Sequence, residues 1–163
     1  MTKIAVLSDT HIPVAAKELP KTVYDGIAGV DMILHAGDIL DMQVLDKLSK
    51  IAPVRAVCGN MDNDSACSKL PQKDIIKIGD CSIGLIHGWG PPSGLIDLVG
   101  RQFKNVDVIV FGHSHSPLIE KRGGILFFNP GSPTDKVFAP YNSYGILTID
   151  GKTILPEIIR LPV

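Results

Sequence analysis

No apolar run in the sequence approaches the roughly 18 residues that a membrane-spanning helix needs. The first residues carry neither the basic segment nor the long apolar stretch of a secretory signal. A cytoplasmic protein with no membrane partner is therefore expected. Cysteine is scarce: Cys58, Cys67 and Cys81 are odd in number and show no C-x-x-C spacing, which argues against a disulfide framework and against a cysteine-held zinc. A charge excess is missing as well, since 16 Lys and Arg face 17 Asp and Glu, all scattered along the chain. Duplex nucleic acid, which requires a basic face, is not an expected partner. Aromatic residues make up only 6% of the chain, so the basic stripe with interleaved aromatics that grips single strands is absent too.

What the chain does have is aliphatic core material. At 163 residues and 45% hydrophobic content it is long enough to fold as one domain, residues 1–163. A chain of this size buries about two thirds of its unfolded surface. Ile4 to Leu7 reads as a buried strand, Pro20 to Ala28 as a helix opened by proline, and Asp31 to His35 as a second strand. Asp41 to Lys50 reads as a helix with Val44, Leu45, Leu48 and Ile51 on one face, and Pro53 to Val57 as a third strand. Alternation of this kind predicts right-handed parallel crossovers. Asn63 to Lys73 is expected as an irregular loop with room for a short helical turn, Ile75 to Ile86 as a hairpin, Leu95 to Phe103 as a helix and Val106 to Phe111 as a further strand. Four more strands follow: Pro117 to Glu120, Ile125 to Asn129, Tyr144 to Ile149 and Thr153 to Ile159.

The polar residues at the ends of these strands carry the chemistry. Asp9 and His11 follow the first strand and Asp38 the second, Asn60 follows the third, and His87, His113 and His115 follow later ones. A strand fixes where the side chain after it points, and ligands of α/β sheets gather at carboxyl ends. Each residue alone could be a turn former or a satisfied core-edge histidine. Together they suggest one shared site. Carboxylate, imidazole and amide oxygen suit Mn²⁺, Fe²⁺ or Zn²⁺ better than Ca²⁺. Two such ions about 3.5–4 Å apart, bridged by a carboxylate, can hold a hydroxide for in-line phosphoryl displacement.

The ordered series D-T-H at Asp9 to His11, G-D-I-L-D at Gly37 to Asp41, G-N-M-D at Gly59 to Asp62, H-G at His87 and G-H-S-H at Gly112 to His115 resembles the calcineurin-like metallophosphoesterases. More narrowly it is similar to their small bacterial and archaeal phosphodiesterase branch, which shares an N-P-G-S segment like Asn129 to Ser132. The resemblance implies a four-layer αββα sandwich of two mixed β-sheets flanked by helices. It implies that Asp9, His11 and His115 hold one ion, that Asn60, His87 and His113 hold the other, and that Asp38 bridges them. Asp38, His113 and Asp41 are then the expected catalytic residues, with Asn60 and Asn129 reaching substrate. Mn²⁺ is the first expectation for the metal, with Ni²⁺, Mg²⁺, Zn²⁺ or Fe²⁺ as alternatives.

Supporting roles are open at this point. Asp41 either braces the Asp38 loop or simply serves its helix terminus, Asp62 steadies the Asn60 turn or is an ordinary turn residue, and His35 reads as a buried neighbour of the site. Asn129 and Ser132 either reach substrate, support the site or only close a turn, while Trp89 to Ser93 are candidates for reading the substrate. Larger relatives read G-N-H-[DE] where this chain has Met61, which cannot protonate a leaving group. The expected substrates are therefore small phosphodiesters with good leaving groups. The competing expectation is a non-catalytic scaffold on the same fold, as in the retromer subunit branch, and apolar residues around Phe138 to Tyr144 are candidates for a homodimer surface.

Overall fold

The computed structural model describes residues 1–163. In chain order, β1 (Thr2–Leu7), α1 (Lys21–Gly26), β2 (Met32–His35), α2 (Gln43–Ser49) and β3 (Val54–Ala56) form an alternating first half. A short helix α3 (Asp64–Lys69) leads to the hairpin of β4 (Lys73–Ile78) and β5 (Cys81–Ile86). Then come α4 (Leu95–Gly100), β6 (Val108–Val110), β7 (Leu118–Arg122), β8 (Ile125–Asn129), β9 (Ser143–Asp150) and β10 (Thr153–Arg160). No helix is long and apolar enough to cross a membrane.

The strands form two five-stranded mixed sheets, ordered β10-β9-β1-β2-β3 and β4-β5-β6-β8-β7. β1, β2 and β3 are parallel, as the alternation predicted, and β9 adds to β1 antiparallel in the register Ala5 to Ile146. Period-two alternation divides each strand between two cores. Ile4, Val6, Leu34 and Leu147 meet Ile83, Leu85, Val110 and Phe128 between the sheets. Ala5, Leu7 and Ile33 turn the other way, against Val23 and Ile27 near α1 and Val44 and Leu48 of α2. On the far side Leu95 and Val99 of α4 pack with Ile109, Phe111 and Phe127. Three cores between four layers give the αββα sandwich. Phe128, fully buried at its centre, is a residue whose truncation to Ala would cost about 3–5 kcal/mol.

Two sequence expectations need correction, and the short helical turn allowed within residues 63–73 is realised as α3, because the Asn63 side chain accepts the Ala66 N–H at 2.8 Å and caps a first turn. That helix carries Cys67 back over the end of β3, where it forms a disulfide with Cys58, their Cα atoms 5.2 Å apart. Sequence spacing gave no hint of this pair. The stretch Phe138 to Tyr144 is not one exposed apolar surface either, since Ser143 and Tyr144 are buried and only Phe138 and Pro140 in it are exposed.

A candidate metal centre at the strand ends

β1, β2 and β3 end on one edge of the first sheet, and β5 and β6 end on the same edge of the second. The loops there are locked by backbone bonds: Asp9 N–H donates to Gly37 O, His11 N–H to Asp38 O, and Gly112 N–H to His87 O. The approach is close. A Cβ on Gly59 would strike the Asp38 carboxylate, and one on Gly112 would strike Ser8 and Asp9, so only glycine lets these loops meet.

Five of the seven non-glycine residues in the left-handed backbone region are Asp9, His11, Asp38, His113 and His115, with φ between 44° and 71°. Such conformations cost an L-residue roughly 1–3 kcal/mol each and persist only where surroundings enforce them. They aim the side chains at one another.

Asp9 is fully buried, and its Oδ2 accepts from Ser8 Oγ at 2.7 Å and from the His113 N–H at 3.0 Å. Its Oδ1 has no hydrogen-bond partner. Around that oxygen stand His115 Nε2 at 3.4 Å, His11 Nε2 at 3.7 Å and His87 Nε2 at 3.8 Å. Asp38 Oδ1 accepts the Met61 N–H at 2.7 Å, while its Oδ2 lies 3.3 Å from His11 Nε2 and 3.2 Å from His87 Nε2. Asn60 Oδ1 sits 2.9 Å from His87 Nε2 and 3.3 Å from His113 Nδ1. All seven expected ligands thus converge. Two subsets, Asp9/His11/His115 and Asp9/Asp38/His87, place their ligand atoms within 4.8 Å of one another. Asp9 is shared by both, so the bridging position expected of Asp38 alone has two carboxylates beside it.

Three of the four histidines here have their second nitrogen anchored. His87 Nδ1 bonds Ala36 O at 2.7 Å, His113 Nε2 bonds Gly90 O at 2.8 Å, and His115 Nδ1 bonds Asp135 Oδ2 at 2.6 Å. A carbonyl can only accept, so in the neutral imidazole the first two bonds put the proton on the far nitrogen and leave a lone pair facing the site. Metal-ligating imidazoles are oriented in this way.

Proton affinities follow the same layout. Burial opposes charge on His11, but hydrogen bonds to Asp38 and Asp9 outweigh it and hold the imidazole up to about 9. His87 and His115 are raised in the same way against their burial. Asp9 and Asp38 fall well below the usual carboxylate range despite burial, held there by the surrounding histidines. Carboxylate and imidazole thus each favour the other's charged form across the cluster. An orphaned buried carboxylate oxygen facing three imidazoles is the arrangement that a divalent cation satisfies, and the mixed O/N donor set fits a first-row divalent metal.

The supporting residues each take one of the roles that the sequence leaves open. Asp41 does not reach the cluster; its carboxylate accepts the Gln43 N–H at 2.9 Å, as a residue serving its own helix does. The bracing role belongs to Asp62. Its carboxylate accepts four backbone N–H groups, those of Asp38, Ile39, Leu40 and Gly59, at 2.8–3.0 Å. His35 is buried, accepts the Gly37 N–H at Nδ1 and bonds Thr10 Oγ1 at 3.2 Å, and burial pushes it down to about 4. Asn129 is buried and points inward: its amide donates to Gly112 O and Ser114 Oγ, bracing the His113 loop, so it does not line the cavity where substrate would sit. Ser132 Oγ donates to Asp9 O at 2.8 Å. Trp89 lines a separate cavity behind Asn60 and His87, while Pro92 reaches the main one.

Asp135 escaped the sequence reading altogether. Besides His115 it accepts the N–H groups of Val137, Phe138 and Ala139 at 2.8–3.0 Å, and these partners draw its carboxyl below its ordinary value against the effect of burial. An Asp in a Ser-Pro-Thr-Asp turn gives no signal that its partner lies 20 residues earlier.

Comparison with known proteins agrees with this geometry. Residues 2–152 match the model for the calcineurin-like phosphoesterase superfamily domain. A probable metallophosphoesterase of Methanocaldococcus jannaschii is 46% identical over 135 residues, 80% of this chain and 68% of that protein. One from Methanothermobacter thermautotrophicus is 39% identical over 161 residues, 96% of this chain and 91% of that protein. Among solved structures, wild-type Vps29 of Entamoeba histolytica complexed with Zn²⁺ aligns with TM-score 0.77 at 26% identity, covering 98% of this chain and 99% of that one. A protein described as a novel archaeal phosphodiesterase aligns with TM-score 0.74 at 20% identity over 97% of this chain and 100% of that one, a likeness of fold.

Proposed function

The chain belongs to the calcineurin-like phosphoesterase superfamily, and from that premise we propose that it is a two-metal phosphodiesterase favouring esters with good leaving groups. Asp9, His11 and His115 would hold one ion and Asn60, His87 and His113 the other, with Asp38 and Asp9 placed to serve both. The single observation that carries this reading is the buried, unpartnered Asp9 Oδ1 with three imidazole nitrogens 3.4–3.8 Å away. When bound, divalent ions supply a water deprotonated near neutral pH and neutralise charge on phosphoryl oxygens.

The chain's own residues supply position. Asp62 and Asp135 hold the ligand-bearing loops, and His113, half-exposed at the cavity mouth, stands where a substrate oxygen would enter. Met61, 57% exposed on the same cavity, offers no proton, which supports the preference for leaving groups that depart unprotonated.

The test is to strip the metal and restore Mn²⁺, Ni²⁺, Mg²⁺ or Zn²⁺ separately. Hydrolysis of bis(4-nitrophenyl) phosphate and 4-nitrophenyl phosphate, with an alkyl monoester alongside, is then followed. Metal-dependent turnover with the aryl diester well ahead is expected. Equal rates on aryl diester and alkyl monoester would refute the diester preference. Absence of rescue by every ion would favour the scaffold reading, for which the exposed Val137 and Phe138 supply an apolar contact.

A further inference from the structure

Four large apolar side chains ring the mouth of the cavity over the candidate metal centre: Val14 (81% exposed), Met61 (57%), Val137 (79%) and Phe138 (76%). Single exposed apolar residues are ordinary on a protein surface. Here they come from three separate loops and converge on one opening of about 620 Å³. Lys136 is the one Lys or Arg on its lining.

Phe138 and Val137 do not collapse inward because their backbone is held out. The Asp135 carboxylate accepts the N–H groups of Val137 and Phe138 at 2.9 and 3.0 Å, and that same carboxylate bonds His115 Nδ1 at 2.6 Å. The Phe138 ring stands edge-on to the His115 ring with centroids 6.1 Å apart. One carboxylate therefore fixes both a candidate metal ligand and the aromatic ring beside it. A ligand whose phosphorus sits at the centre would have its substituent within reach of that ring.

We propose that Phe138, backed by Val137, Val14 and Met61, is a binding wall for a planar apolar group carried on the phosphoryl group, so that the preferred substrates are aryl-type phosphate esters, with Lys136 as the cation nearest the phosphate charge. This rests on the phosphoesterase reading and narrows its substrate class. Aromatic rings packed edge-on or offset gain beyond simple burial, and a flat ring of this kind discriminates by shape rather than by hydrogen bonds.

The test uses phosphonates, whose carbon–phosphorus bond the proposed reaction does not cleave, so it reads binding apart from turnover. Calorimetric titration of the Mn²⁺-loaded protein with phenylphosphonate and methylphosphonate is expected to show the phenyl compound bound about tenfold tighter, a modest preference of the size one contact wall confers. F138A is expected to abolish that preference and F138W to retain it, with a Mn²⁺ titration of each variant verifying that the ions are still held. Equal affinities for the two phosphonates in the unaltered protein would overturn the proposal, as would an F138A effect seen only as a change of oligomeric state. A phenyl preference without hydrolysis of any ester would leave the wall standing and remove the catalytic reading instead.

Discussion

The carboxylate of Asp62 accepts the backbone N–H of Asp38 at 3.0 Å, and with its remaining capacity it takes the N–H groups of Ile39, Leu40 and Gly59. One side chain therefore ties the end of β2 to the end of β3 and fixes the direction of the Asp38 carboxylate. Asp62→Asn replaces one acceptor oxygen by an NH₂ that faces two donors. The expected result is a loss of about 2–4 kcal/mol in urea unfolding. A fall of about 10–100-fold in Mn²⁺ affinity should accompany it. Unchanged stability would mean that the loops hold themselves.

The metal-free protein should be most stable near pH 6.5. His11 in the folded state is raised from 6.5 to about 9 by Asp38 and Asp9 against its burial, so its stabilising contribution is complete below 6.5 and is lost as pH rises through 9. His35 is lowered by burial from 6.5 to about 4, so it contributes above 6.5 and that contribution disappears as pH falls through 4. With Mn²⁺ present the alkaline loss should vanish, because the ion takes the place of the His11 proton. Thermal unfolding in EDTA and in Mn²⁺ at pH 5, 6.5 and 9 checks both arms, and a metal-free midpoint that climbs steadily to pH 9 would contradict the assignment.

Met61→His places a proton donor on the cavity wall. Turnover of esters with poor leaving groups should rise by about 10²-fold, and that of 4-nitrophenyl esters should change little. The measurement is the dependence of log kcat on leaving-group pKa, whose slope should become shallower. A uniform increase or decrease across the series would point to an altered substrate position rather than to proton transfer.

Reduction of the Cys58–Cys67 disulfide frees a loop that contains Asn60, Met61 and Asp62. Closing a loop of this length is worth about 2–3 kcal/mol in the chain-entropy view. A lower unfolding temperature in reductant is expected, with Cys67→Ser equally low and indifferent to reductant. No response of the unaltered protein would show that the bond adds nothing to stability.

The parallel first half and all seven candidate ligands were legible because each is announced locally: an aliphatic run, then a glycine or a polar residue where the chain must turn. Asp9, Asp38 and His87 could be found by asking what stands at the end of each such run. Asp135 could not, since its importance comes from a bond to a residue far away in the chain. The sequence leaves open, for the same reason, which of Asp41 and Asp62 braces the Asp38 loop. Asp41 sits beside the right loop in sequence, whereas Asp62 reaches it across the gap between two strands. Asn129 misled because an amide in a Gly/Pro-rich segment looks the same whether it faces inward or out. Cys58 and Cys67 were hidden by α3, whose turn-rich sequence concealed a cap at Asn63.

The left-handed backbone at Asp9, His11, Asp38, His113 and His115 carries a consequence for substitution. At these positions glycine would relax the chain but remove a candidate ligand, so backbone stability and ligand chemistry pull in opposite directions at the same five residues. Replacing any of the five by glycine should therefore leave the sandwich intact, and ease its backbone, while weakening the grip on a divalent ion.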